Sequence, residues 1–140
     1  MVNTDYLIRM TQEVAHGLSC LINPDKCVKE SQAELEGFYT NYLNKDRQYF
    51  LDIKLEELVA YLQQFNVTEL AYRLSLLAEV IYHDTLLTDE PELKKELALK
   101  AAFLYEQLSL VDQIESVDRQ NRIAQLNRWG RQQQVNNPLK

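Results

Sequence analysis

Apolar residues recur every three or four positions along most of the chain, the spacing of one helix face. Leu7, Met10, Val14, Leu18 and Leu21 mark the first such stripe, and Ile8, Ala15 and Ile22 widen it. Asn3 or Thr4 can cap this helix. Asn23-Pro24-Asp25 ends it at about Ile22, because the residue before a proline avoids the helical region. A second helix is expected from Lys29 to Leu43, closing near Asn44-Lys45. Asp46 then caps a third segment with the stripe Tyr49, Phe50, Ile53, Leu58, Tyr61, Leu62 and Phe65, and that segment can break around Ile53-Lys54. Asn66 closes it. Thr68 opens a fourth helix, Glu69 to about Leu86, with Leu70, Leu74, Leu77, Ala78 and Ile81 on its apolar face.

Asp89 and Glu92 make a D-x-x-E capping box, and Pro91 falls in the first turn, where its missing N–H costs little. The fifth helix is expected to bury Leu93, Leu97, Ala101, Leu104, Leu108 and Val111. Its solvent side carries Glu96 and Lys100 in the favourable i,i+4 order. Between Glu92 and Trp129 there is neither Gly nor Pro, so this stretch can be one very long helix or two. A second D-x-x-E, Asp112 with Glu115, places a break near 112–116. The last helix weakens after Leu126. A single helical domain over 1–131 with a disordered tail over 132–140 is the organisation this predicts.

Composition narrows the class. Only 3 Gly and 3 Pro occur among 140 residues, too few and too scattered for a phosphate-binding or dinucleotide-binding glycine loop, or for the tight turns of a sandwich or barrel. The expectation is an all-α protein of five or six amphipathic helices, packed as antiparallel hairpins in a two-layer bundle. No apolar run approaches a membrane span, and Met-Val-Asn-Thr-Asp opens no secretory leader, so a cytoplasmic protein with no membrane contact is expected. Cys20 and Cys27 fit no zinc spacing and read as reduced structural thiols.

Charge is segregated. Residues 1–118 hold 10 basic and 21 acidic side chains, a net −11, whereas residues 119–140 hold Arg119, Arg122, Arg128, Arg131 and Lys140 with no acid, a net +5. An acidic body repels phosphate, so nucleic acid is not an expected partner. The arginines can stabilise a helix end, fold back on the acidic body or meet another protein. Arg119, Arg122, Arg128, Trp129 and Arg131 form a candidate interface for a protein partner or for self-association, since Arg and Trp are enriched at binding hot spots.

Chemistry-bearing residues are sparse. Only His16 and His83 titrate near neutrality. Glu13-x-x-His16 is half of a di-iron ligand set, and its second half is missing because Glu79 and His83 stand four apart. His83-Asp84 matches the doublet of metal-dependent phosphohydrolases, but the further ligands such a metal needs are not apparent. No catalytic, cofactor-binding or metal-binding set is therefore assigned, and no cofactor is expected. Five of the 13 aromatic residues, Phe38, Tyr39, Tyr42, Tyr49 and Phe50, lie close together. They can line a recognition groove or form the core between the second and third helices. Phe38, Tyr42, Tyr49 and Phe50 fit inward positions, which points to core.

Two stretches resemble known sequences. Asp5-Tyr6-Leu7-Ile8-Arg9-Met10 resembles the start of a family of small uncharacterised bacterial helical proteins. Leu74 to Leu110 is similar to a tetratricopeptide helix pair. Leu74, Leu77, Ala78 and Ile81 follow its first helix, and Ala101, Tyr105 and Leu108 stand at the small, aromatic and small positions of its second. Trp and Gly of that motif are missing, and the connection is about eleven residues too long; a stacked array also needs about three repeats. The resemblance implies a bacterial helical hairpin and supplies no catalytic residues. The functional expectation is a non-enzymatic protein-interaction or adaptor domain. The alternative is a small-molecule-binding helical domain or a minor metal-dependent hydrolase using His83-Asp84.

Overall fold

A computed structural model describes residues 4–21, 28–114 and 116–135, and every element in them is an α-helix. The helices are α1 (Thr4–Leu21), α2 (Val28–Leu43), α3 (Arg47–Asp52), α4 (Leu55–Leu62), α5 (Val67–Leu87), α6 (Pro91–Asp112) and α7 (Val117–Val135). Among the described residues, seven helices stand where the pattern marks five or six, because the third segment does break at Ile53-Lys54 and α6 and α7 are separate. Asn3, the Asn23-Pro24-Asp25 turn, Cys27, Glu115 and residues 136–140 lie outside the described residues. α7 itself continues to Val135, nine residues past the expected weakening at Leu126.

Helix boundaries rest on short polar side chains and on non-glycine residues bent into the left-handed region. Asn44 (φ 62°) follows α2 and Gln113 (φ 55°) follows α6. The Asp46 carboxylate accepts the Tyr49 N–H at 2.9 Å and caps α3. The Asn66 amide oxygen accepts the Glu69 N–H at 2.8 Å, so Asn66 opens α5 as its cap rather than closing the segment before it. The Asp89 capping box does not form: the cap position is Glu90, whose side chain makes no capping bond, and Pro91 takes the first turn. Asp112 does not cap α7 either. Its carboxylate accepts the Ile114 N–H, while the Ser116 hydroxyl oxygen accepts the Arg119 N–H at 3.2 Å.

α5 is the axis of the molecule, packed against α1, α2, α4 and α6. Leu74, Leu76, Leu77, Ala78, Val80 and Ile81 are all buried, so α5 is apolar over much more than one stripe. Val14, Leu18 and Leu21 of α1 and Leu35, Tyr39 and Leu43 of α2 close over it. α6 returns along α5 after the three residues 88–90, burying Leu97, Ala101, Leu104 and Leu108 as its pattern predicts. α7 then runs back along α6: Lys94 lies over the Trp129 ring, and a Cβ on Gly130 would sit 2.4 Å from Leu99 Cδ2. Glycine at 130 thus leaves room for the Leu99 side chain against α7. α7 carries few apolar anchors, with Ile123 and Leu126 buried and Trp129 half-buried. No helix among the described residues is long and apolar enough to cross a membrane.

Lys100 departs from its expected place. It is 8% exposed rather than on the solvent side. Its ammonium donates to the backbone carbonyls of Phe50 (2.9 Å) and Leu51 (2.8 Å), binding the C-terminal end of α3 to α6. Burial lowers its pKa, and the acids Glu96 and Asp52 oppose that shift.

Candidate functional site on helices 5 to 7

α5 carries two polar clusters, one toward α2 and α3 and one toward α6 and α7. Asp84 anchors the first and is itself buried. Its Oδ2 accepts from the Tyr39 hydroxyl at 2.7 Å and from Arg47 Nε at 2.8 Å. Its Oδ1 accepts from Arg47 Nη2 at 3.1 Å and lies 3.0 Å from the Thr88 hydroxyl, which also donates to the Asp84 carbonyl at 2.6 Å. Four donor contacts meet a carboxylate that offers about four lone-pair sites. Burial first, and then the neighbouring Asp84, hold the Tyr39 hydroxyl well above its ordinary pKa. The bond to Asp84 raises the Arg47 guanidinium. The cluster is a locked joint between α2, α3 and α5.

Glu79 anchors the second cluster. Its Oε2 accepts from both the Tyr105 hydroxyl and Arg122 Nη1, and Arg122 Nη1 also lies 2.7 Å from the Tyr105 oxygen. The Arg122 guanidinium stacks 4.3 Å from the centre of the Tyr82 ring. Burial and the Glu79 carboxylate push Tyr105 well above its ordinary pKa. Next to it, His83 is 4% exposed, and its Nδ1 stands 2.8 Å from the Glu79 carbonyl, which makes Nδ1 the nitrogen that carries a hydrogen. Burial lowers the His83 pKa, helped by Arg122 and opposed by its bond to the Glu79 carbonyl and by the Glu79 charge.

The two halves of the His83-Asp84 doublet therefore face different neighbours. His83 lies in the Glu79 cluster, whereas Asp84 is taken up by Tyr39, Arg47 and Thr88. Glu13 and His16 are both exposed on α1. Cys20 is an exposed free thiol. Among the described residues, no three His, Cys, Asp or Glu side chains come together as a set that could hold a metal ion.

The basic residues of α7 divide into two groups. Arg119 folds back over the α6–α7 turn, pairing with Asp112 Oδ2 at 3.0 Å and reaching the Ser109 hydroxyl at 3.2 Å. Arg122 is engaged with Glu79. Trp129 packs on the core beneath Lys94, 4.8 Å from its ring centre. Arg128 and Arg131 are the exposed pair. In the aromatic cluster, Tyr39 and Phe50 are fully buried and stacked at 5.7 Å, and Phe38 and Tyr42 are half-buried and stacked at 5.8 Å. Tyr49, expected to point inward, is instead 36% exposed and meets Phe50 edge-on. Tyr39 holds the interior position. With Asp46 as the cap, Tyr49 falls on the first turn of α3 with its ring over the cluster's rim, where Lys45 covers it at 5.0 Å.

Sequence reasoning missed the apolar corner between α6 and α7. Leu110 (71%), Ile114 (57%) and Val117 (77%) are the most exposed of the large apolar side chains among the described residues. The signal was there in the sequence, since all three fall outside the α6 stripe and close to the expected break. No known protein family matches the chain, and neither does any curated protein or solved structure.

Proposed function

We propose that the chain is a non-enzymatic helical protein-interaction or adaptor domain of the bacterial cytoplasm, and that the corner formed by Leu110, Ile114 and Val117 is its binding element. Their exposure carries the reading. Isolated surface apolar residues are ordinary, but three large ones within one turn region mark a surface that is covered in use. The residues that would have to perform chemistry are instead engaged within the fold: Asp84 in a four-contact joint, Glu79 with Tyr105 and Arg122. The serial packing of α5, α6 and α7, with Ala78 and Ala101 buried along the first pair, supports a tetratricopeptide-like hairpin as the scaffold.

The test compares the wild-type chain with the double variant Ile114→Asp/Val117→Asp as immobilised bait in a bacterial lysate. Any retained protein is then purified and titrated against both forms. A protein that binds the wild type and loses at least about tenfold in affinity for the variant, about 1.4 kcal/mol, supports the reading. Equal binding to both forms removes the corner from the function.

A further inference from the structure

We infer that the outer face of α6 is a docking seam for a helix of a partner protein, and that this helix carries basic side chains beside its apolar ones. This rests on the proposed reading of the chain as a protein-interaction domain. The spacing, exposure and charge of five residues carry it.

α6 is already occupied on its other sides. Leu97, Ala101, Leu104 and Leu108 are buried along α5, and Tyr105, Ser109 and Asp112 meet α7 through Arg122 and Arg119. Lys100 reaches the end of α3. Glu96, Leu99, Phe103, Glu106 and Leu110 share the sector that remains. Their spacing of three, four, three and four is the repeat of a seam along which one helix meets another. On a helix these positions extend over about 21 Å. Leu110 is 71% exposed, Leu99 is 38% exposed although it lies against Gly130, and Phe103 between them is half-buried. At its lower end Leu110 joins the seam to the corner at Ile114 and Val117.

Both ionisable positions of the seam are acidic. Glu96 and Glu106 are exposed, and neither forms an ion pair among the described residues. Glu96 lacks the cation that its spacing promised, because Lys100 has turned inward to the Phe50 and Leu51 carbonyls. The seam thus alternates apolar side chains with carboxylates that have no counter-charge of their own. A partner helix with an apolar stripe flanked by Lys or Arg matches both features. Long basic side chains lay their stems along apolar surface and bring their charged ends to the carboxylates. An acidic partner helix would meet like charge at both positions.

Fluorescence anisotropy with two synthetic peptides of three heptads tests the inference. Both carry Leu along their own seam, one with Lys at the flanking positions and its twin with Glu. The wild-type chain is expected to bind the Lys peptide at least about tenfold more tightly than the Glu twin, and high salt should shrink that preference. Glu96→Lys/Glu106→Lys should abolish the preference. Glu96→Gln/Glu106→Gln, which removes the charges and adds none, should lower it in the same direction. Because the whole chain is acidic, Glu13→Lys/Glu36→Lys at exposed positions of α1 and α2 controls for net charge and should leave the preference in place. A dissociation constant above about 1 mM for the Lys peptide overturns the inference. So does a preference that the control pair abolishes as fully as the seam pair. If both peptides bind alike and both lose affinity for Ile114→Asp/Val117→Asp, the corner stands and the basic partner falls. If the Lys peptide keeps its preference and ignores that double variant, the seam stands and the corner leaves the binding element.

Discussion

At the scale of single residues, the buried polar groups explain more of this molecule than its surface does. Asp84 and Glu79 stand five positions apart on α5 and point to different neighbours, so each joins α5 to a different part of the chain. His83 lies between them as a neutral ring whose pKa is lowered, mainly by burial, from its ordinary 6.5. The sign of its pH effect follows directly. Below about pH 6.5 the unfolded chain takes up a proton on this ring that the folded chain refuses, so acidification favours unfolding. The stability that His83 supplies is complete above that pH and falls as pH drops toward the depressed folded value. The slope is at most about 1.4 kcal/mol per pH unit. His83→Asn keeps a donor near the Nδ1 position and removes the titration. Chemical denaturation at a series of pH values from 7 downward should show the wild type losing stability through this window more steeply than the variant. Parallel curves would mean that His83 titrates alike in both states.

Helices are where sequence and structure can be compared most directly. The stripes on α1, α5 and α6 located those helices within a residue or two, because burying an amphipathic face leaves a periodic record. Capping was less legible. Asp46 caps α3 as its position predicts, yet Asp89 and Asp112 are not caps, since a D-x-x-E pattern states only that a cap could form there. Lys100 departs from its expected solvent side because periodicity says which side of a helix is polar and nothing about a neighbouring helix end that needs donors. The carbonyls of Phe50 and Leu51 belong to a segment 50 and 49 residues away. The polar clusters were equally hidden: His83-Asp84 is adjacent in sequence, and only the packing of α2, α3, α6 and α7 around α5 reveals that the two side chains serve different joints. Lys100→Met keeps most of the aliphatic stem and deletes the donor. The two carbonyls then lose their partner inside a contact that excludes much of the water, a cost of about 1–3 kcal/mol. Urea unfolding should report that loss. Faster hydrogen exchange confined to α3 and the start of α4 would locate it, whereas an unchanged midpoint would show that the ammonium contributes no net stability.

For the molecule as a whole, the question is how much of its stability resides in α7. α1, α2, α5 and α6 supply most of one apolar core, to which α7 adds Ile123 and Leu126; α7 packs chiefly on α6 and meets α5 through Arg122. Its apolar contribution is concentrated in Ile123 and Leu126, which on burial contribute about 1.5–3 kcal/mol each. Ending the chain after Ser116 removes these, strips Glu79 of its arginine and uncovers the α6 face beneath. A loss of about 3–6 kcal/mol is expected. A domain of this size holds about 5–15 kcal/mol in total, so the shortened chain should remain folded but marginal. It should unfold in one transition at a lower urea midpoint, with its helical circular dichroism reduced by little more than the share of the deleted helix. Global unfolding of the shortened chain would place α7 inside the cooperative core.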